Sequence, residues 1–419
     1  MAAETTTDSQ AQIVDQTNQR QNGLPAFKLE RYFSKWEFKA PYLLCCSDCE
    51  PVLLPELLNL MDPDSRTRWE SLRLGYGETR GLPALVDEIC TLYEGVRPDG
   101  VIVGAPQECI YLAMLALLKP GDHVVVTYPG YQSLFQVAES LGCQVDLWEV
   151  ELGEDGSATF DVGRFQALLR PSTKLAVVNF PHNPTGVLLS RADWSLLVDA
   201  CRRVGCYLFS DEMYRLLEFD PEARLPSAVD AYDKAITLSG LSKAFGLPGL
   251  RIGWLAVQPA CYPILARVAE LKDYTTICNA VPSEALALVA LRARETLLRR
   301  NLDILETNLR AVGAFMREFG QVFQYCPPAA GSVAFPRLLA TSAAGEVGGG
   351  ESVEAFCERL VTGCGVLLLP ASVYGHELSA ARGHFRIGLG RRDLPACLEV
   401  LRGFLTGQHQ APLPPNEQA

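Results

Sequence analysis

The chain has 419 residues, 48% hydrophobic and 21% charged, which suits two or three domains with a large buried core and excludes wholesale disorder. Its 37 Lys and Arg against 49 Asp and Glu leave a net charge of −12, so there is no global attraction to nucleic-acid backbones or anionic membranes. No apolar run reaches the roughly 18 residues that a membrane span needs.

Met1 to about Gly23 is polar and rich in Thr, Gln and Asn, without the regions of a secretory signal. A disordered extension over residues 1–25 is expected, in a cytoplasmic protein with reduced thiols. Next comes a segment, residues 26–60, carrying Cys45-Cys46-Ser47-Asp48-Cys49. Zinc asks for four ligands, and no second Cys/His pair with suitable spacing follows. These read as pocket or core thiols, and no metal is expected.

From about residue 80 to 260, short apolar runs alternate with helical stretches. Val101-Ile102-Val103 leads into a helix from about Gln107 to Leu118, closed by Lys119-Pro120-Gly121-Asp122. Val124 to Thr127 precedes a helix beginning near Tyr131, and further runs follow at Leu175 to Phe180, Tyr207 to Ser210 and Ala235 to Leu238. Runs apolar on both faces suit a parallel sheet covered by helices, which predicts a large doubly wound α/β domain over 61–280. Beyond about residue 275 a long Arg/Leu/Glu-rich helical stretch, Pro282 to Phe319, is followed by short strands near Val333, Val366 and His384. That pattern predicts a smaller α+β domain over 281–407, with the 26–60 segment docked on it. Gly348-Gly349-Gly350 marks a loop inside it, and residues 408–419 read as a disordered tail.

Ligands of α/β sheets sit beyond the carboxyl ends of the strands. Four such places carry unusual residues: Asn183-Pro184-Thr185-Gly186, Ser210-Asp211-Glu212-Met213-Tyr214, Ser239-Gly240-Leu241-Ser242-Lys243, and Gly104-Ala105-Pro106-Gln107 at a helix start. Singly these are turn dipeptides, a helix cap, a solvated lysine and a loop.

In their joint order they resemble the class I/II aminotransferases, the fold type I enzymes that use pyridoxal 5′-phosphate (PLP). The likeness runs from about Tyr76 to Arg386, and Leu241-Ser242-Lys243-Ala244-Phe245-Gly246-Leu247-Pro248-Gly249-Leu250-Arg251 is its most specific block. Within that superfamily, Val177 to Gly186, the Lys243 block and Phe335-Pro336-Arg337 look most like the capreomycidine synthase branch, which expels a β-hydroxyl from an arginine derivative and cyclises it.

The resemblance implies roles residue by residue. Lys243 is the Schiff-base lysine, and Asp211 keeps the pyridine nitrogen protonated. Tyr214 and Asn183 hydrogen-bond the ring's phenolate oxygen, and Tyr131 stacks on the ring, with Tyr128 as its rival. Ala105, Pro106 and Gln107 offer a helix start to the phosphate, helped by Ser242 and Arg251. Two departures stand out. Pro106 has no N–H, and Gly240 occupies a position that is often Ser or Thr. Tyr76 reaches the neighbouring subunit's phosphate, so a homodimer with shared active sites is expected. Arg386, with Asn183, holds the substrate α-carboxylate. Glu37 and Asp48 lie in the segment that covers the substrate side chain, where they suit a cationic end such as guanidinium.

The implied activity is transamination of an α-amino acid in a biosynthetic pathway, through a Lys243 Schiff base and a quinonoid carbanion. The alternative is β- or γ-elimination, replacement or cyclisation from the same start. A non-catalytic regulator ranks last, because about 25 polar residues do not make a helix-turn-helix and the charge opposes DNA. The expected partner is therefore a small amino acid, not a nucleic acid or a membrane.

Overall fold

The computed structural model describes residues 23–339 and 351–408. Of the extension expected to be disordered over 1–25 and the tail expected over 408–419, residues 1–22 and 409–419 lie outside the described residues, as does the Gly348-Gly349-Gly350 loop. Seven strands form the main sheet: β1 (Val101–Gly104), β2 (His123–Tyr128), β3 (Gln144–Glu149), β4 (Thr173–Asn179), β5 (Tyr207–Asp211), β6 (Ala235–Gly240) and β7 (Gly253–Val257). Their order is β1-β7-β6-β5-β4-β2-β3. The pairs β2–β3, β2–β4, β4–β5 and β5–β6 are parallel, and β7 is antiparallel to both β6 and β1. Every residue of β2 is buried and nearly all of β4 and β5, as their Val- and Leu-rich runs require.

Two strands were not among the apolar runs read from sequence. β3 is a half-exposed edge strand with the mixed composition QVDLWE, and β7 follows the Lys243 block. A parallel return needs a crossover of a dozen or more residues, usually a helix. Residues 241–252 instead form a loop and a single 3₁₀ turn at Pro248–Leu250, so the chain comes back antiparallel.

Local signals set the covering helices. Helix Arg191–Val204 begins at Ser190, whose side chain accepts from the Asp193 amide, and ends at Gly205 in the left-handed region (φ 78°). Helix Pro106–Leu117 starts with proline at its first position, where the missing N–H costs no helical bond. The long stretch after Pro282 divides into helices Val281–Arg292 and Arg294–Glu318.

A second sheet holds β8 (Val333–Ala334), β9 (Leu369–Pro370) and β10 (Phe385–Gly388), in the order β8-β10-β9, all antiparallel. The segment after helix Lys28–Trp36 lies along it. Tyr42 bridges Val366, and the Gly388 amide donates to the Leu44 carbonyl at 2.9 Å. The approach leaves no room for side chains. A Cβ on Gly388 would stand 1.7 Å from the Cys46 carbonyl oxygen, and one on Gly390 2.4 Å from that of Asp48. Cys45, Cys46 and Cys49 are buried free thiols. Among the described residues no helix is long and apolar enough to cross a membrane.

Candidate active site

Strands β4, β5 and β6 end at Asn179, Asp211 and Gly240. Beyond them opens a cavity of about 380 Å³, walled by Asn183, Asp211, Tyr214, Ser242, Lys243 and Arg251 on one side and by Arg386 of β10 on the other. Pro106, Gln107, Tyr131, Glu37 and Asp48 also face it. Two of the residues singled out in the sequence do not. Ala105 precedes helix Pro106–Leu117 and lines a neighbouring cavity, and Tyr76 is 91% exposed. Tyr128 is buried against Phe135 and His376, which leaves Tyr131 as the tyrosine of that turn on the cavity wall.

The buried carboxyl of Asp211 accepts the Met213 amide at 3.1 Å. Burial pushes it up to about 7, a rise that the Met213 bond and the nearby Lys243 only partly offset. Lys243 donates from Nζ to Ser47 Oγ at 2.8 Å, and its nitrogen lies 6.0 Å from the Tyr214 ring centroid. Burial draws this amine below the ordinary lysine range, with Asp48 opposing the shift and Arg386 adding to it. Burial also lifts the Tyr214 phenol to about 12. Asn179 ties two strand ends together. Its Nδ2 donates to the Asp211 carbonyl at 2.9 Å, and its Oδ1 accepts the Asn183 amide at 2.9 Å.

Arg386 is 1% exposed. Its Nε and Nη2 donate to the Cys45 carbonyl at 3.1 and 2.9 Å, and its Nη1 to Tyr374 Oη at 2.7 Å and Asn183 Oδ1 at 3.2 Å. All these acceptors are uncharged. A buried guanidinium with no counter-ion against it among the described residues is poised for an anion. Tyr374 Oη also donates to Asn183 Oδ1 at 3.1 Å, so the Asn183 side chain is tied to Arg386 and Tyr374.

The two carboxylates expected over the substrate differ. Asp48 is already matched: Arg391 Nη2 donates to its two oxygens at 3.1 and 3.0 Å. It faces the cavity with this ion pair already made within the chain. Glu37 has no ion pair among the described residues, and burial, then Asp48 and Glu30, push its carboxyl up. Sequence reading missed Ser47, Asn179 and Tyr374. Asn179, a polar residue closing an apolar strand, carried a signal. Tyr374 carried none, because it reaches the site only through tertiary packing.

A family model described as aminotransferase class I and II matches residues 65–396. The chain belongs to this family. It is 31% identical over 359 residues to capreomycidine synthase of Streptomyces vinaceus, covering 84% of this chain and 87% of that one. It is 29% identical over 357 residues to the arginine–pyruvate transaminase of Pseudomonas aeruginosa, covering 80% and 85%. Among solved structures it resembles a PLP-dependent aminotransferase from Streptococcus suis, with 32% identity and a TM-score of 0.82 over 92% of this chain and 99% of that one. It also resembles the PLP-dependent cyclase OrfR, with 26% identity and a TM-score of 0.80 over 91% and 97%. The chain is thus a fold type I enzyme, and its cofactor is pyridoxal 5′-phosphate.

The residues of this enzyme fit that cofactor. Ser242 is 6% exposed, and its hydroxyl has no hydrogen-bond partner among the described residues, the mark of a group made for a ligand. It faces the cavity beside Gln107 and the start of helix Pro106–Leu117. Arg251 joins them on a left-handed backbone (φ 55°). The missing hydroxyl at position 240 has a packing cause. A Cβ there would stand 2.8 Å from Gly253 Cα and 3.1 Å from the Ile252 carbonyl oxygen, so the backbone leading into β7 leaves no room for a side chain, with the Pro106 ring also close at 3.2 Å.

Proposed function

We propose that the enzyme transaminates an α-amino acid, with Lys243, Asp211 and Arg386 as its working groups. The observation that carries this reading is the convergence on one cavity of the Lys243 amine just beyond β6, the buried Asp211 carboxyl at the end of β5 and the buried Arg386 guanidinium on β10. When bound, the cofactor supplies an aldehyde carbon that captures an amine and a protonated ring that withdraws electrons from the substrate's α-carbon. Ser242, Gln107 and Arg251 would hold its phosphate, Tyr131 would flank its ring, and Asp211 would face its ring nitrogen. Asp211 carries a charge that burial makes costly, so it prefers a cation against it. Lys243, drawn below the ordinary lysine range by burial, has an amine better able to accept and return a proton than an exposed lysine. Arg386 holds the α-carboxylate and so orients the α-hydrogen toward that amine. Glu37 faces the far end of the substrate, where a cationic side chain would meet its unpaired carboxyl.

A second reading, elimination or cyclisation, draws on the likeness to capreomycidine synthase and to the cyclase OrfR. The two differ in what remains when no 2-oxo acid is supplied. A transaminase gives one equivalent of keto acid per site and stops, with its visible band bleached. The expected result, on testing arginine and several neutral amino acids, is such a stoichiometric stop with at least one of them. Catalytic turnover without acceptor, followed by mass spectrometry of the product, would establish the second reading instead.

We also propose a homodimer in which Tyr76 serves the partner's site. Tyr76 and Leu74 are 91% and 84% exposed, and Gly77 beside them packs near Val281 at the start of a helix. Mixing inactive Lys243→Ala chains with inactive Tyr76→Ala chains should then restore activity. Random exchange in a two-fold dimer makes half the molecules mixed, each with one intact site of two, so about a quarter of wild-type activity is expected. No recovery after subunit exchange verified by native mass spectrometry would remove Tyr76 from the site.

A further inference from the structure

We infer that Ser47 is a positioning residue for the Lys243 amine, fixing its nitrogen through the side-chain hydroxyl whenever that nitrogen is free. The contact is direct: Lys243 Nζ donates to Ser47 Oγ at 2.8 Å, across 196 positions of sequence. Ser47 faces the same cavity as Lys243, Asp211 and Tyr214. A lysine on a four-carbon stem has many rotamers, and an amine that must both release and recapture a proton at one carbon gains from being held in one of them.

The peptide around Ser47 is itself immobilised from several sides. Ser332 Oγ donates to the Ser47 carbonyl at 2.5 Å. On one side of it Cys46 lies against Gly388, and on the other Asp48 lies against Gly390 and pairs with Arg391. Two residues earlier, the Cys45 carbonyl accepts two bonds from Arg386. One short peptide therefore holds the guanidinium that faces an anion and, through Ser47, the amine opposite it. That gives a serine side chain a purpose at a place where packing alone asks for nothing polar.

The inference rests on Lys243 being the lysine that bears the cofactor, and the experiment separates the two. Borohydride reduction of the loaded wild-type enzyme and peptide mass spectrometry locate the tagged lysine. A tag on another lysine removes both statements. With the tag on Lys243, Ser47→Ala and Ser47→Thr are compared. The alanine variant should lose up to about 100-fold in kcat, with KM within about twofold of wild type, since the substrate's carboxylate still meets Arg386. Threonine should restore most of it by returning the hydroxyl. A second measurement needs no turnover: the pH dependence of Lys243 labelling by trinitrobenzenesulfonate in the full-length chain freed of cofactor. An acceptor at Nζ favours the ammonium form, so its loss moves the labelling midpoint to lower pH in Ser47→Ala and not in Ser47→Thr. Asp48, Cys46 and Cys49 from the Ser47 segment, Glu37, Asp211 and Arg386 also face this amine and are unchanged in both variants, and the Tyr214 phenol, which also shares a hydrogen bond with the Ser47 hydroxyl, loses it in Ser47→Ala and keeps it in Ser47→Thr. Superimposable labelling curves, an unchanged kcat in the alanine variant, or failure of threonine to restore it would each overturn the role.

Discussion

Lys243→Ala is expected to abolish the covalent link between chain and cofactor and to lower turnover by roughly 10⁴-fold. The variant should still bind PLP, because the groups proposed to hold its phosphate lie elsewhere: Ser242, whose hydroxyl has no partner among the described residues, Gln107 at a helix start, and Arg251. Dialysis would then remove cofactor from the variant more readily than from the wild type, and denaturation would release it without residual tag. Retention of the lysine-linked absorbance band by the variant would show that another lysine serves. Lys272 is also deeply buried, but its nitrogen is taken by Thr276 and Asn279 and lies 3.6 Å from Glu108, away from the cavity.

Asp211→Asn is expected to separate stability from function. The carboxyl stands at about 7 in the folded chain against an ordinary 3.8, and burial is the main cause. Between those values the folded state holds more protons than the unfolded one. Stability of the cofactor-free chain therefore falls as pH rises from about 4 to about 7, and the full penalty persists above that. The difference corresponds to about 4 kcal/mol. The asparagine keeps an oxygen for the Met213 amide and carries no charge, so the cofactor-free variant should melt roughly 5 °C higher than wild type at pH 8. The gap should narrow as pH falls toward 4. Activity should drop by roughly 10³-fold, because the ring nitrogen loses its anionic partner. Scanning calorimetry across pH decides this. Equal melting of the two chains at pH 8 would mean that Asp211 carries no uncompensated charge, and full activity of the variant would remove it from the chemistry.

Much of this molecule could be read from its sequence where chemistry and backbone position coincide. Asp211 and Lys243 follow apolar strands directly, and a charged residue at that place is conspicuous because strand ends meet the crevice. β2, β4 and β5 could be read because both of their faces are buried and their residues are accordingly apolar. β7 could not be read in the same way, since its direction depends on how residues 241–252 turn, and those residues were already accounted for by the lysine block. The partner of Asp48 was hidden for a different reason. Arg391 lies 343 positions away, and only the packing of residues 44–50 along β10 brings the two together. The same holds for Ser47 against Lys243, and for Tyr374 between Arg386 and Asn183.

The bare backbone of Gly388 and Gly390 has a consequence for anyone redesigning this enzyme. The peptide from Cys45 to Asp48 rests on those two positions with no space for even a methyl group. A library that varies residues 44–50 alone samples shapes the opposite strand has to accept unchanged, and one that varies 385–391 alone displaces a peptide it never touched. Productive diversity in substrate choice therefore requires the two stretches to be mutated together, as one composite surface, with both glycines left in place.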